Sequence, residues 1–411
     1  MSKHSVSNSA LPPPARKAGR THLLRQLTFT LLVIEFLDEL VDGSRQAAWP
    51  LIRRDLQLSY TEIGLLLTVP KLIGDAIELP LGILGDTRHR RAVVLTGGAC
   101  FALASLLISL SHNFIFLLLA FILFNPASGA FVNLSQAALM DCAPARHEQN
   151  MARWAFAGSL GIVTGSLALN FTVSLGANWR VWFGVMSLIS VLLVLSARRF
   201  PFDAPAAGES GGAGIKKNLL NALCALRRRA VLRWLVLLEL ADLMLDGFHG
   251  FLALYFVDVA GLSEGQAGIA IAVWTGVGLC GDLLLIPLLE RVRGLSYLRW
   301  SAGAMLLLFA AFLLAPGILA KLLLLGLIGI TNAGWYSILK AQLYSAMPGQ
   351  SGAVMTLGNI AGLCGALLPL CLGLVAERFG LASMMWLLLA GPLALLVAIP
   401  RKGKKISDMV G

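Results

Sequence analysis

The sequence predicts an all-α membrane protein with roughly twelve transmembrane helices in two parallel-repeat bundles of about six helices each. Composition, the number of apolar runs and an internal repeat carry this prediction. Of the 411 residues, 57% are hydrophobic and only 13% are charged, and the mean hydropathy is +0.78. Soluble domains contain about 25% charged residues. The composition therefore excludes an ordinary soluble chain.

The apolar runs give the helix count. A helix needs about 20 apolar residues to cross the hydrocarbon core. Several runs are interrupted by Gly or Pro, which membrane helices tolerate where neighbouring helices cover the backbone. The runs are centred near residues 35, 72, 101, 125, 162, 188, 243, 277, 306, 330, 363 and 390.

An internal repeat groups these runs into two halves. Rare residues recur at an offset of 204 positions, the distance from Asp42 to Asp246. The same offset relates Gly64, Gly74, Met151, Gly158, Gly161, Gly176 and Trp182 to Gly268, Gly278, Met355, Gly362, Gly365, Gly380 and Trp386. Such matches in one ungapped register indicate a duplication. We predict bundles over residues 23–199 and 231–400, joined by a cytoplasmic linker over 200–230.

Basic residues predict the orientation. They cluster before the first span, between the second and third, in the linker and after the last span, and the positive-inside rule assigns that side to the cytoplasm. We expect a multi-pass protein of the cell inner membrane with a disordered N-terminus (1–22) and a tail (401–411), both cytoplasmic. Arg53, Arg54 and Arg180 are exceptions on the other side. No basic cluster lies in a foldable soluble domain, so the net charge of +11 does not indicate nucleic-acid binding.

Acidic stripes within two spans are the strongest functional signal. Glu35, Asp38, Glu39 and Asp42 share one helical face of the first span, and Glu239, Asp242 and Asp246 repeat the pattern in the seventh. Ionisable groups at membrane depth cost several kcal/mol, so they usually face a cavity, a partner or an ion path. An unpaired carboxylate in low dielectric readily takes up a proton. The stripes therefore predict proton-coupling or substrate-binding groups, with Asp38 and Asp242 the first candidates.

Fold-stabilising ion pairs are the alternative interpretation of these acids. Asp42 would then pair with Arg45 one turn on, and Lys71 with an acid of the first span. Acids at membrane depth outnumber Lys71 and Lys340, so pairing cannot account for all of them. The second span carries a further charged stripe of Lys71, Asp75 and Glu78 on one face, and Asp282 adds an acid in the eighth span. Side chains predicted to line the same cavity are Asn125, Asn133, Gln136, Asn332, Tyr336 and Lys340, and Trp274 could stack on a substrate. Trp274 could instead serve in packing.

The loop after the second span carries a recognisable motif. Residues 82–91 read Gly-Ile-Leu-Gly-Asp-Thr-Arg-His-Arg-Arg. This resembles the signature G-x-L-A-D-R-x-G-R-R/K of the major facilitator superfamily, with departures at Thr87 and His89. The resemblance implies a twelve-helix transporter fold and a cytoplasmic gating latch formed by Gly82, Asp86, Arg88, Arg90 and Arg91. In such a latch the arginines pair with acids across the interface between the halves. Alternatively, the arginines serve only as topology anchors.

A shorter stretch, from Asp42 to Gly64, is similar to the start of exporters of the fosmidomycin-resistance type. The antiporter signature of the fifth span would place Gly-Pro in a Gly-rich run. Here Gly158, Gly161 and Gly165 are present without the proline, which weakens a drug-antiporter assignment. These glycines are expected to allow close helix packing.

We therefore expect a monomeric secondary transporter that moves a small solute by alternating access. Proton coupling and export of a cationic or zwitterionic organic compound are favoured. A divalent metal-ion carrier using Asp and His249, or an organic-anion transporter using Lys71 and Lys340, is the alternative. The sequence contains no nucleophile–base pair, HExxH helix or phosphate loop, so we expect neither an enzyme nor a cofactor.

Overall fold

The computed structural model describes residues 14–85, 89–142, 147–200, 202, 224–347 and 351–400, and every regular element within them is helical. The first half consists of α1 (Pro14–Leu56), α2 (Tyr60–Gly85), α3 (Arg90–Ser109), α4 (Phe114–Cys142), α5 (His147–Ser174) and α6 (Trp179–Ala197). Helix α1 begins upstream of the boundary expected at Leu23. Most of the predicted linker and the predicted C-terminal tail lie outside the described residues.

The second half contains shorter helical pieces. They are α7 (Arg229–Asp242), α8 (Phe248–Asp258), α9 (Ala267–Arg291), α10 (Gly294–Leu314), α11 (Ile318–Thr331), α12 (Trp335–Ala346), α13 (Ser351–Gly365), α14 (Leu368–Phe379), α15 (Leu381–Leu387) and α16 (Ala390–Ala398). The pairs α7–α8, α11–α12, α13–α14 and α15–α16 each correspond to one predicted span. Nine stretches of the described chain are long and apolar enough to cross a membrane. The other three predicted spans, α1, α2 and α7–α8, carry the charged stripes.

Two of the interruptions have visible causes. Helices α7 and α8 are joined by a π-helical turn, Leu243–Gly247, which contains Asp246. Such turns occur often at functional sites. Between α11 and α12, Gly334 adopts a φ of +71°, a conformation that favours glycine. Residues of both interruptions line the cavities described below.

The backbone reproduces the predicted repeat. Gly176 and its repeat counterpart Gly380 have φ angles of +82° and +83°. Gln57 and its counterpart Gly261 follow the ends of α1 and α8 and also have positive φ, +52° and +80°. These matched turns support the duplication independently of the residue matches.

Helices α1 and α5 pack with their backbones in close contact, as the glycine pattern predicts. A Cβ atom added at Gly161 would lie 2.5 Å from the carbonyl oxygen of Phe36, and one at Gly165 would lie 2.0 Å from that of Leu40. Small residues permit this approach between membrane helices. The acidic face of α1 is therefore held against α5.

Candidate functional site

Two adjoining cavities lie between the halves. The first has a volume of about 500 Å³ and the second about 380 Å³. Leu245, Asp246 and Tyr336 line both. The first is additionally lined by Lys71, Asp75, Glu78, Leu238, Glu239, Asp242, Gly358, Gly362 and Gly365.

Charged side chains from both halves form the walls of the first cavity. Lys71, Asp75 and Glu78 come from α2, and three acids come from the α7–α8 span. The Lys71 ammonium lies 3.3 Å from a carboxylate oxygen of Asp246 and so bridges the two halves. This corrects the expected pairing of Lys71 with an acid of the first span.

The acids of α1 do not line either cavity. Asp42 forms the predicted ion pair with Arg45, and Asp38 accepts a hydrogen bond of 2.8 Å from Ser128 on α4. Glu35 is only 6% exposed. A Cβ atom added at Gly158 of α5 would lie 2.8 Å from its carboxylate and 3.4 Å from Cγ of Glu39. The first stripe thus lies between α1, α4 and α5, within the first half.

The repeat explains why the two stripes differ. The counterpart of Arg45 is His249, and the counterpart of Ser128 is Asn332. Neither replacement hydrogen-bonds an acid of α7–α8 within the described residues, and His249 Nε2 is buried with no partner there. Consequently Asp242 and Asp246 remain available to the cavity.

The second cavity has an aromatic and amide lining. Trp274 and Asn332, both at most 9% exposed, line it together with His249, Asp282 and Trp335. The Trp274 ring packs edge-on against Phe248 at 5.1 Å between centroids. Nearby, the Lys340 ammonium donates a hydrogen bond of 2.8 Å to the Tyr336 hydroxyl. Trp274, Asn332 and Tyr336 therefore lie in one lining with Asp246 of the seventh span.

The amides of α4 are placed differently. Asn133 donates to Glu78 at 3.2 Å and so supports the α2 wall. Asn125 donates to the carbonyl of Phe121 in its own helix. Neither amide lines the two cavities, and neither does Gln136.

Two ion pairs and a hydrogen bond join the halves at the end assigned as outer by the positive-inside rule. Arg53 donates to Asp258 at 2.7 Å, and the Tyr60 hydroxyl donates to the same carboxylate at 2.7 Å. Arg54 pairs with Glu264 at 2.7 Å. From the sequence these arginines are only exceptions to the charge rule, because their partners lie 205 or more residues away and no local pattern indicates them.

Close backbone contacts lie at the same end of the molecule. We call these contacts, together with the ion pairs of Arg53 and Arg54, the outer seal. A Cβ atom added at Gly64 would lie 2.8 Å from the carbonyl oxygen of Pro369, and one at Gly268 would lie 2.5 Å from that of Ser166. These two glycines are repeat counterparts. The hydrogen bonds and ion pairs that join described residues of the two halves lie at the outer ends and the middle of the helices. The cavities are thus closed on the outer side.

The described part of the gating motif contacts its own half. Arg90 is buried and pairs with Asp141 of α4 at 2.6 Å, and Arg91 donates to the carbonyl oxygen of Arg198 at 2.6 Å. Gly82 lies within α2. Asp86 and Arg88 lie outside the described residues. The latch function therefore stays a prediction.

One buried cation was missed by the sequence analysis. Lys321 is 7% exposed, and its ammonium donates to the Tyr255 hydroxyl and to the carbonyl oxygens of Phe312 and Leu313. These carbonyls end α10, where the helix dipole favours a cation. Lys321 thus stabilises a helix terminus away from the cavities. Among the described residues, no group of three His, Cys, Asp or Glu side chains is placed to hold a metal ion.

Comparisons with known proteins agree with this architecture. The family model described as Major Facilitator Superfamily matches residues 31–369. The chain is 23% identical over 389 residues to the fosmidomycin resistance protein of Escherichia coli, covering 91% of this chain and 93% of the relative. It is 25% identical over 181 residues to the methyl viologen resistance protein SmvA of Salmonella typhimurium, covering 43% of this chain and 37% of the relative.

A solved structure shows the same fold. The nucleoside transporter NupG superposes with a TM-score of 0.75 at 15% identity, covering 91% of this chain and 98% of that one. The match extends over both halves, so it includes the interface at which the cavities lie. Because the family model spans most of the sequence and the fold agrees, the chain belongs to the Major Facilitator Superfamily of membrane transporters.

Proposed function

We propose that the protein is a proton-coupled exporter of cationic or zwitterionic organic compounds. The observation that carries the proposal is the first cavity, in which five carboxylates and one lysine from both halves surround a space of about 500 Å³. Rocking of one half against the other would expose this cavity to each side in turn. The resistance proteins among the relatives favour export over uptake.

The two acidic stripes would have separate tasks. Asp242, Asp246 and Glu239 line the cavity and would contact the solute. Glu35 and Asp38 lie away from it, between helices of the first half, and would hold the proton. A carboxyl group buried without a cationic partner is more stable protonated than ionised, which suits it to carry a proton. The proton would then alter the packing of α1, which also carries the arginines of the outer seal.

The protein would work as a monomer in the inner membrane with both termini in the cytoplasm. The latch residues Gly82, Asp86, Arg88, Arg90 and Arg91 would close the cytoplasmic side when the outer seal opens. The bundles would move as units over residues 23–199 and 231–400, with 200–230 as the linker. A metal-ion carrier is not favoured by any described cluster.

Transport in proteoliposomes under an imposed pH gradient tests the proposal. A panel of cationic, zwitterionic and anionic solutes should show gradient-driven movement of the first two classes. Asp38→Asn should abolish the response to the gradient but keep solute binding, and Asp242→Asn should weaken binding itself. Unchanged gradient-driven transport in both variants would contradict the assignment.

A glycine substitution separates the proton site from general damage. Gly158→Ala would place a methyl group 2.8 Å from the Glu35 carboxylate and should impair coupling. Gly303→Ala is the matched control, because its nearest neighbour lies at 4.0 Å. Equal behaviour of the two variants in the gradient assay would argue against a proton site beside Gly158.

An organic anion is the second candidate, and Lys340 favours it. The Lys340 ammonium bonds the Tyr336 hydroxyl and lies 4.8 Å from the centre of that ring, with no described carboxylate in contact. It could therefore receive an acidic group of a solute at the edge of the cavities. Loss of anion transport in Lys340→Gln, with cation transport intact, would favour this candidate.

A further inference from the structure

We propose that the central site takes an organic dication, one that displaces Lys71 from Asp246 with one positive charge and places the other between the acids of α2 and α7. This inference rests on the proposed transport function and assigns its substrate class. It follows from the charge balance, the spacing of the acids and the intramolecular cation that occupies the site.

The charge balance comes first. Lys71 neutralises Asp246, which leaves Asp75, Glu78, Glu239 and Asp242 as cavity-lining carboxylates. None of these four forms an ion pair with a described Lys or Arg. A solute with a single positive charge would leave most of this surplus uncompensated. Asp75, Glu239 and Asp242 are partly buried and Glu78 is exposed, so a second positive charge in the cavity would relieve more of the repulsion among them.

The spacing of the acids suits two separated charges. At about 1.5 Å of rise per residue, Asp75 lies ~6 Å along α2 from Lys71, and Glu78 lies ~10 Å from it. On the opposite wall Asp242 precedes Asp246 across the π-helical turn. The two walls therefore offer carboxylates at two levels. A dication whose charges are ~6–10 Å apart would contact one level with each end.

The Lys71 ammonium already occupies the position of one ligand charge, beside Asp246 at the outer of the two levels. Its contact with Asp246 is 3.3 Å long, and the two side chains are 39% and 68% exposed. A pair so accessible to solvent is weak and can be exchanged for a competing cation. After displacement Lys71 can turn to Asp75, which lies four residues along the same helix face. The exchange would break the bridge between the halves at the moment of binding.

The adjoining cavity supplies an independent indication of a ligand. Asn332 is 8% exposed, lines this cavity and forms no side-chain hydrogen bond to any described residue. Its amide is therefore available, from the cavity side, to bond a ligand or water. Trp274 lies in the same lining, and an indole ring can attract a cation through its face.

Calorimetric titration of the purified full-length protein at low salt tests the inference. Hexamethonium carries two quaternary ammonium groups, and ω-hydroxyhexyl-trimethylammonium is its length-matched monocation. Hexamethonium should bind about tenfold or more tightly, since one additional charge contact is worth about 1.4 kcal/mol or more. Equal affinities for the two probes would overturn the inference.

Variants then locate the two charges. Lys71→Gln removes the internal competitor and should tighten hexamethonium binding several-fold. Asp246→Asn and Asp242→Asn should each reduce the preference for the dication. Glu290→Gln, an acid outside both cavities, should leave the preference unchanged. A preference that persists in both aspartate variants, or disappears equally in Glu290→Gln, would contradict binding at this site.

Transport assays keep this inference separate from the proposed function. Gradient-driven transport of monocations or zwitterions, with no preferential binding of hexamethonium, would overturn the substrate class and leave proton-coupled export standing. Preferential binding of hexamethonium without gradient-driven transport of any solute would support the site and overturn the coupling.

Discussion

From the contacts of the outer seal we predict that the carboxylate of Asp258 controls the balance between the outward-closed and outward-open arrangements of the two halves. Asp258 accepts hydrogen bonds from Arg53 and from the Tyr60 hydroxyl, both of which belong to the other half. The Arg53 guanidinium also lies 4.1 Å from the centre of the Tyr60 ring. Asp258→Asn removes the charge but keeps the shape of the side chain. It should therefore weaken contacts that exist only while the outer side is closed.

The magnitude follows from the exposure of the pair. Hydrogen bonds to a charged group contribute about 1.5–3 kcal/mol when buried, and exposed ion pairs contribute about 0–1 kcal/mol. The side chains of Arg53 and Asp258 are 30% and 24% exposed, so an intermediate value of about 1 kcal/mol applies to each of the two hydrogen bonds that Asp258 accepts. A loss of about 2 kcal/mol would shift the equilibrium toward outer opening by about 30-fold.

The opening can be measured as a distance between spin labels at Ser174 and Ser263, which lie on opposite halves beside the seal. Asp55→Asn is the matched control. Asp55 pairs with Arg180 and accepts from Trp179, but all three residues lie in the first half. Asp258→Asn should populate a longer distance, and Asp55→Asn should not. The reasoning is refuted if both variants open the seal equally or if neither does.

Three further predictions concern the repeat and the helix ends. Gln57→Gly removes the backbone strain of a non-glycine residue at φ +52° and should raise the unfolding free energy by about 0.5–1 kcal/mol. Gly261→Ala introduces such strain at φ +80° and should lower the unfolding free energy. Thermal unfolding in detergent measures both changes. Arg90→Gln removes a guanidinium that is 3% exposed and should cost about 2 kcal/mol of stability in the same assay, and an unchanged melting temperature would show that its ion pair contributes nothing. His249→Arg should give Asp246 a permanent cationic partner and weaken cation binding in calorimetry, while His249→Gln should not.

The sequence predicted the helices and the repeat better than it predicted the contacts between halves. The helices follow from local composition, and the two related halves follow from the 204-residue offset. Both predictions agree with the structure. The ion pair between Asp42 and Arg45 was also predicted, because residues three apart share a helix face. The pairing of Lys71 with an acid of the first span was wrong. Helical periodicity shows which face of a helix carries a side chain but not which helix packs against that face. The seal between Arg53 and Asp258 was missed for the same reason.

The difference between the two acidic stripes shows how the two halves of a duplicated fold can diverge. In the first half, Arg45 forms an ion pair with Asp42, and the Ser128 hydroxyl donates a hydrogen bond to Asp38. These two acids are therefore held between helices. In the second half, the counterparts His249 and Asn332 make no such bonds among the described residues.

The π-helical turn at Leu243–Gly247 adds to this divergence, because α1 continues as a regular α-helix at the equivalent positions. A π turn changes the angular register of the residues that follow it. Asp246 therefore faces the cavity and meets Lys71 of the opposite half. Duplication supplied two equivalent acidic helices, and a few substitutions left one of them to hold its charges internally while the other presents them to the cavities.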